Sequence, residues 1–310
     1  MFRSLALVAT LTAIGCTEYD TFTDTREESV VEIFEVAGAD TDIVFFTDNS
    51  SSMQRDLIEL GGSFEKFLRR LNSANPSWQV ITVTGDDGCS TSGVLTPTTP
   101  DVLHKFAMGV QTAPDDQSSD EWGLYIAREA VVNAALGLCN DDFLRPEASL
   151  HVVFMSDEGD TSPGWEGAHD YWQSYLERIQ DIKGDPAKVR VSAIVGPRTG
   201  GCSEAQPGLG YIDAAEATGG EVLSICDDWS DDIEILADAS ILQDTFALQH
   251  EPFVETISVR VNSEDRLEGW AYDVAANSIV FTADIPTGRD EVVVSYRALV
   301  EFETTEDPNE

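Results

Sequence analysis

Asp48, Ser50 and Ser52 alternate along one short stretch, so that a carboxylate and two hydroxyls can converge while Asn49 and Ser51 turn elsewhere. All three are hard oxygen donors. Mg²⁺ takes such ligands and keeps several waters, so a site built from few protein groups suits it, and Mn²⁺ and Ca²⁺ accept the same donors. No His or Cys stands beside this stretch to favour zinc. The helix expected to follow has a positive amino-terminal end that repels a cation, which makes the Asp48 carboxylate necessary; the same dipole favours an anion held by that cation. These residues also suit an Asp/Ser turn whose hydroxyls cap the next helix.

Four apolar residues, Ile43-Val44-Phe45-Phe46, run directly into the cluster. A short apolar run bounded by polar residues reads as a strand buried on both faces of a parallel sheet. The cluster then lies at the strand's carboxyl end, where open α/β sheets bind ligands. Residues 41 to 243 continue the alternation. Leu57, Leu60, Phe64, Phe67, Leu68 and Leu71 have helical spacing, Trp78–Val83 is a second strand, and Leu124, Ala127, Val131, Ala135 and Leu138 mark another helix. His151–Met155, Val189–Val195 and Val222–Ile225 read as further buried strands, and Ala168, Trp172, Tyr175, Leu176, Ile179 and Ile182 as a helix whose aromatics belong to the core. Gly61 and Gly62 weaken the first helix and point to close packing. Ser230-Asp231-Asp232 reads as an N-cap with acids in the first turn. The fold class is α/β, a doubly wound and mostly parallel sheet.

Asp-x-Ser-x-Ser after an apolar strand resembles the metal-ion-dependent adhesion site of von Willebrand factor A domains. In that family a Thr or Ser precedes the second long helix, six residues before an apolar helix residue, and an Asp ends the fourth strand. Ser118, six before Leu124, matches the first position, and Asp157, after His151–Ser156, matches the second. The resemblance implies that Asp48, Ser50, Ser52 and Ser118 hold a divalent cation directly or through water, that Asp157 acts mostly through water, and that one coordination position stays open. Departures are Ser118 for the commoner Thr and Ser156-Asp157-Glu158-Gly159 for Thr-Asp-Gly. Neither removes an oxygen ligand, but Ser119 or Asp120 could replace Ser118 after a small loop shift. The acidic loop Asp157–Pro163 either shapes itself by hydrogen bonding or supports waters on the ion.

The chain opens with Arg3 and the apolar Leu5–Ile14, too short to span a bilayer, so residues 1–15 read as a signal peptide. Ala13-Ile14-Gly15-Cys16 resembles a bacterial lipoprotein processing site, which implies a lipid on Cys16 and a membrane anchor on the envelope, periplasmic or at the cell surface. An ordinary secretory signal is the alternative. Residues 16–40 carry eight acidic side chains after Cys16 against Arg26 alone and read as a solvated tether. The whole chain has 57 Asp and Glu against 18 Lys and Arg, a net charge of −39, which argues against nucleic acid and anionic lipid as partners. A salty medium accounts for such a surface better than one basic partner does.

With Cys16 lipidated, Cys89, Cys139, Cys202 and Cys226 remain, an even number suited to an oxidising compartment. Of three connectivities, Cys89–Cys139 with Cys202–Cys226 is preferred, because each pair closes a loop within neighbouring parts of the wind. No Cys-x-x-Cys, Gly-x-Ser-x-Gly, phosphate loop or dinucleotide fingerprint is present, and His104, His151, His169 and His250 show no metal-ligand spacing. Residues 244–303 change to a period of two and read as a small antiparallel module of about five strands packed on the first domain; 304–310 read as an acidic tail. Phe143-Leu144-Arg145-Pro146, the Cys202 and Cys226 pair and the tail resemble a group of bacterial lipoproteins with A domains.

The functional expectation is binding, not turnover: capture of a carboxylate on a protein or glycan, in adhesion or interaction. A structural or assembly role in an envelope complex is the alternative. A metal-assisted hydrolase is a third class, for which no His or isolated carboxylate is placed as a base.

Overall fold

Continuous apolar runs set the centre of the molecule. In chain order the elements of the computed structural model are β1 (Thr21–Glu35), β2 (Thr41–Thr47), α1 (Gln54–Ala74), β3 (Trp78–Val83), α2 (Val102–Val110), α3 (Gly123–Ala135) and β4 (Ser149–Ser156). There follow α4 (Tyr171–Lys183), β5 (Val189–Val195), α5 (Tyr211–Ala217), β6 (Val222–Ser224) and α6 (Ile233–Ala239). The last six are β7 (Thr245–Ala247), β8 (Ser258–Val261), β9 (Glu264–Arg266), β10 (Trp270–Asp273), β11 (Ser278–Phe281) and β12 (Glu291–Thr305). The structure describes residues 21–36, 38, 40–74, 77–112, 122–165 and 170–305. Cys16, the 1–15 segment, Ser118, Ser119, Asp120, Ala168, His169 and residues 306–310 lie outside the described residues.

Five strands form a parallel sheet in the order β3-β2-β4-β5-β6. Every residue of β2 is buried. Ile43 and Phe45 face a cluster with Leu60, Phe64, Phe67 and Phe106, whereas Val44 and Phe46 face one with Leu124, Val131 and Tyr211. The strand is therefore covered by α1 and α2 on one side and by α3 and α5 on the other, which is the physical content of its unbroken apolar run. The chain leaves β2 toward β3 on one side and returns to β4 on the other, so the winding reverses between β2 and β4. Ligands in open α/β sheets bind at the carboxyl ends of such a pair.

Helix α1 buries Leu57, Leu60, Phe64, Phe67, Leu68 and Leu71, as their spacing predicts. The two glycines within it differ. A Cβ on Gly61 would lie 2.9 Å from the Ala107 Cβ of α2, and one on Gly62 would meet nothing within 4 Å. Close packing is thus a property of Gly61 only. Gly61→Val should destabilise by about 1–3 kcal/mol, and Gly62→Ala should stabilise by up to about 1 kcal/mol. Urea unfolding of the two variants separates them.

Several expectations are corrected. Residues 16–40 are not a tether as a whole, because β1 occupies 21–35 and pairs along its full length with β12. The count of charges hid a two-residue alternation. Glu32 is 7 % exposed and Val30 and Phe34 are partly buried, while Val31 and Ile33 point outward. The buried Glu32 carboxylate accepts bonds from the Tyr296 hydroxyl and the Gln249 N–H, which removes the usual objection to a charge inside a sheet. Residues 304 and 305 likewise belong to β12 and not to a tail.

The 244–303 module holds six strands, not five, and takes β1 as a seventh, in two sheets ordered β1-β12-β8-β9 and β10-β11-β7. It packs on the α/β part as expected, since Phe246, Ile279, Val292 and Val294 share one cluster with Leu60 and Leu236. Strand β6 is a margin strand with Val222 38 % exposed, so the expected buried strand there is shorter and half open. Ser230 falls inside a short 3-10 turn, and Asp232 stands at the start of α6 without a side-chain capping bond, so the expected N-cap is displaced. The aromatics of α4 are core residues as expected: Tyr175 is buried and Trp172 packs against the same cluster.

Candidate metal centre

The backbone first brings two carboxylates together. Strands β2 and β4 run side by side in parallel, and at their carboxyl ends the Asp48 N–H donates to the Met155 carbonyl at 2.9 Å. Asp48 and Asp157 therefore leave adjacent strands at the reversal of the winding. Asp48 is 4 % exposed and Asp157 8 %.

Asp48 is held at both oxygens: the Ser50 N–H donates to Oδ1 at 2.7 Å and the buried Ser156 hydroxyl to Oδ2 at 3.0 Å. Ser156 in turn accepts the Glu158 N–H at 3.0 Å, so one hydroxyl ties both loops. Ser50 precedes the 3-10 turn Ser51–Met53 and makes no side-chain capping bond to it. Its Oγ lies 2.9 Å from the Ser52 Oγ instead. Ser50 therefore does not serve as the cap that its residue type also suits.

Ser52 and Asp48 are the neighbours of the Asp157 side chain. Burial, then the neighbouring charges of Asp48 and Glu158, push its carboxyl up to about 6, while the bond to Ser52 opposes them. Its Oδ1 is buried without a hydrogen-bond partner among the described residues. Two neighbouring carboxylates, one with an unsatisfied oxygen, beside two hydroxyls, form a donor set that suits a hard divalent cation and whose charges repel each other without one. Among the described residues no group of three or more His, Cys, Asp and Glu is arranged to hold a metal, so the candidate depends on its hydroxyls.

Ser118 lies outside the described residues, but the helix after it is fixed to the same site. The Leu124 N–H donates to Asp160 Oδ1 at 2.9 Å and the Tyr125 N–H to the Ser162 Oγ at 3.0 Å. Ser162 also donates to Asp160 through its N–H and its hydroxyl, both at 2.9 Å. The acidic loop after β4 thus shapes itself and caps the first turn of α3 from 36 residues away. Sequence reasoning missed this role. The Asp160-Thr161-Ser162 pattern signals a turn, but not which helix it serves.

Burial pushes the Asp160 carboxyl up to about 6 against the pull of those bonds. Asp42, at the opposite end of β2, is raised to about 6 by burial that outweighs Arg145. Between the ordinary aspartate value and about 6 the folded chain binds more protons than the unfolded one, so this contribution to stability is present at low pH and lost as pH rises through about 6. Relief of the −39 charge acts in the same direction. At low ionic strength without divalent cation, thermal unfolding should occur several degrees higher near about pH 5 than near about pH 8.

A second loop backs the site. Gln206 donates its N–H to the Asp157 carbonyl at 2.7 Å, and Arg55, just past Ser52, pairs with Glu204 at 2.9 Å. The disulfide Cys202–Cys226 closes this loop, and Cys89–Cys139 joins the turn after β3 to the turn after α3, the connectivity expected from sequence. His151 is a core residue between the Ser240 and Ser192 hydroxyls at 2.7 and 2.8 Å. Burial, with a smaller push from Arg190, lowers its pKa to about 3 and keeps it neutral.

No protein-family model and no curated protein matches the chain. Solved structures do. A von Willebrand factor type A structure from Catenulispora acidiphila is similar over 93 % of this chain and 67 % of its own, at 12 % identity and a TM-score of 0.45. Proximal thread matrix protein 1 from the mussel byssus matches 69 % of this chain and 51 % of its own, at 17 % identity and a TM-score of 0.42. The pilus adhesin SpaC of Lactobacillus rhamnosus GG matches 94 % of this chain and 43 % of its own, at 10 % identity and a TM-score of 0.36. The chain spans about half the length of the mussel protein and less than half of the adhesin. These are likenesses of fold.

Proposed function

We propose that this chain is an exported binding module whose edge site, Asp48, Ser50, Ser52 and Asp157 with Ser118, holds Mg²⁺ or a related divalent cation and presents it to a carboxylate of a protein or glycan. The observation that carries this reading is that Asp48, Ser52 and Asp157 are neighbours at the reversal of the sheet, with the Asp157 Oδ1 buried and without a hydrogen-bond partner among the described residues. A bound cation supplies the hard positive charge that attracts the ligand's carboxylate. The chain supplies the rest. Ser50 N–H and Ser156 fix the Asp48 carboxylate, the two hydroxyls contribute neutral donors that leave the charge incompletely cancelled, and Asp160 holds the first turn of α3. The reading is one of capture, not turnover.

Export is supported by the two disulfides, which persist in oxidising compartments. A lipid on Cys16 would then hold the module on the envelope, in adhesion or interaction. The strongly negative surface slows encounter with an acidic ligand at low salt and matters less as salt rises.

Saturating Mg²⁺ should stabilise the protein, by about 2.7 kcal/mol at a hundredfold excess over Kd, and EDTA should reverse the gain. Asp48→Ala should abolish the response. Pull-down from the cell envelope with and without the cation then tests the contact: a partner retained in EDTA and by Asp48→Ala means that the metal is not what it binds. If chelation lowers the melting temperature yet releases nothing, the structural or assembly role replaces this reading.

A further inference from the structure

Strand β1 is the margin of the sheet β1-β12-β8-β9, so one of its edges has no strand beside it among the described residues. The other edge pairs with β12 from Thr21 to Glu35. At about 3.4 Å per residue the free edge is roughly 50 Å long, and such an edge presents a row of outward N–H and C=O groups. Soluble proteins blunt these edges with outward charge. The half of β1 toward Thr21 does so, with Arg26, Glu27 and Glu28 all exposed.

The half toward Glu35 does not. Within Val30–Phe34 the only charge is Glu32, turned inward onto Tyr296 and Gln249. The outward side chains are Val31 and Ile33, 61 % and 63 % exposed. Glu27 is paired with Arg297, but Glu28, Glu35 and Glu291 also lie around this apolar stretch and leave a surplus of negative charge beside it.

We propose that Val30–Phe34 takes an extended segment of another protein as an added strand, and that this segment alternates apolar and basic residues. Backbone hydrogen bonds along the edge supply the pairing, and the alternating side chains select the partner. Its apolar residues cover Val31 and Ile33, and its basic ones meet the flanking glutamates. A second copy of this chain is disfavoured by the same charges, since it would set glutamates against glutamates and join two bodies of −39. The surface belongs to a different sheet from the Asp48 site and does not depend on the cation.

The test uses the full chain and a short synthetic peptide alternating Val and Lys, beside a peptide of the same composition with its Val and Lys in separate blocks. Titration should show the alternating peptide binding at least roughly tenfold tighter than the blocked one, which carries the same charge. Hydrogen exchange should slow at residues 30–34 on binding, with or without EDTA. Val31→Thr with Ile33→Thr keeps strand propensity and charge, and should weaken binding roughly tenfold. Equal affinity for the two peptides, protection elsewhere, or an unchanged double variant would each overturn the proposal. So would sedimentation of the free chain as a dimer with 30–34 protected, which assigns the edge to a second copy.

Discussion

Replacing Arg145 by Ala lowers the unfolding free energy by about 3–5 kcal/mol, the range for breaking a buried ion pair by removing one partner. Asp42 is fully shielded from solvent at the amino end of β2, and Arg145 reaches it twice, through its own N–H at 2.7 Å and through Nε at 2.8 Å. The rest of the guanidinium joins neighbouring strands: Nη1 contacts the Ser77 Oγ at 2.9 Å and the Asp40 carboxylate at 3.2 Å, and Nη2 donates to the Thr41 carbonyl at 2.8 Å. The Lys183 ammonium donates to the Arg145 carbonyl at 2.6 Å. Alanine leaves Asp42 buried with no guanidinium to lower its carboxyl, which rises further, so the variant should recover part of its stability on acidification. Lysine should not rescue it, because a point charge cannot occupy both sides of the fork. Urea titrations of wild type, Arg145→Ala and Arg145→Lys at two pH values check both statements; a loss below about 1 kcal/mol would mean that the pair contributes only as a surface one does.

Removing the disulfides should have effects of similar size with different consequences. Cys89–Cys139 spans 50 residues and Cys202–Cys226 spans 24, which the loop-closure model converts to about 4 and about 3.5 kcal/mol. Serine replacement of both cysteines in each pair should therefore lower stability nearly equally. Cation affinity should not follow stability. The loop closed by Cys202–Cys226 carries Gln206, which donates to the Asp157 carbonyl, and Glu204, which pairs with Arg55. If the proposed site holds Mg²⁺, freeing this loop should weaken its binding roughly tenfold, as changes to groups that support metal ligands do. The Cys89–Cys139 variant should bind Mg²⁺ as the wild type does. Calorimetric titration of the two variants decides, and equal affinities would detach the 24-residue loop from the site.

What the sequence disclosed follows from which signals are local. Strands β3 and β5 were legible to the residue because both faces are buried and each residue reports it. Helices α2 and α5 escaped notice: one has nine residues, the other seven, and neither sustains a long apolar period. Strand β1 was misread because its acids were counted without regard to alternation, and a glutamate that faces inward looks in sequence like one that faces water. At the site, Asp48, Ser50, Ser52 and Asp157 were legible as a spaced set of oxygen donors. The roles of Ser156 and Asp160 were not, since their partners lie 108 and 36 residues away and only the folded sheet brings them within reach.

The register that places Thr21 opposite Thr305 makes the ribbon a hairpin that lacks only its turn. Backbones paired in this way lie within about 5.5 Å of each other, a gap that a short Asn-Gly link closes with the twist the strands already have. A circular permutant running from Thr305 through such a link into Thr21 can be reopened at the exposed turn between Asp273 and Ser278. It would keep Asp48, Asp157 and both disulfides in their places, with its new ends in the small β module.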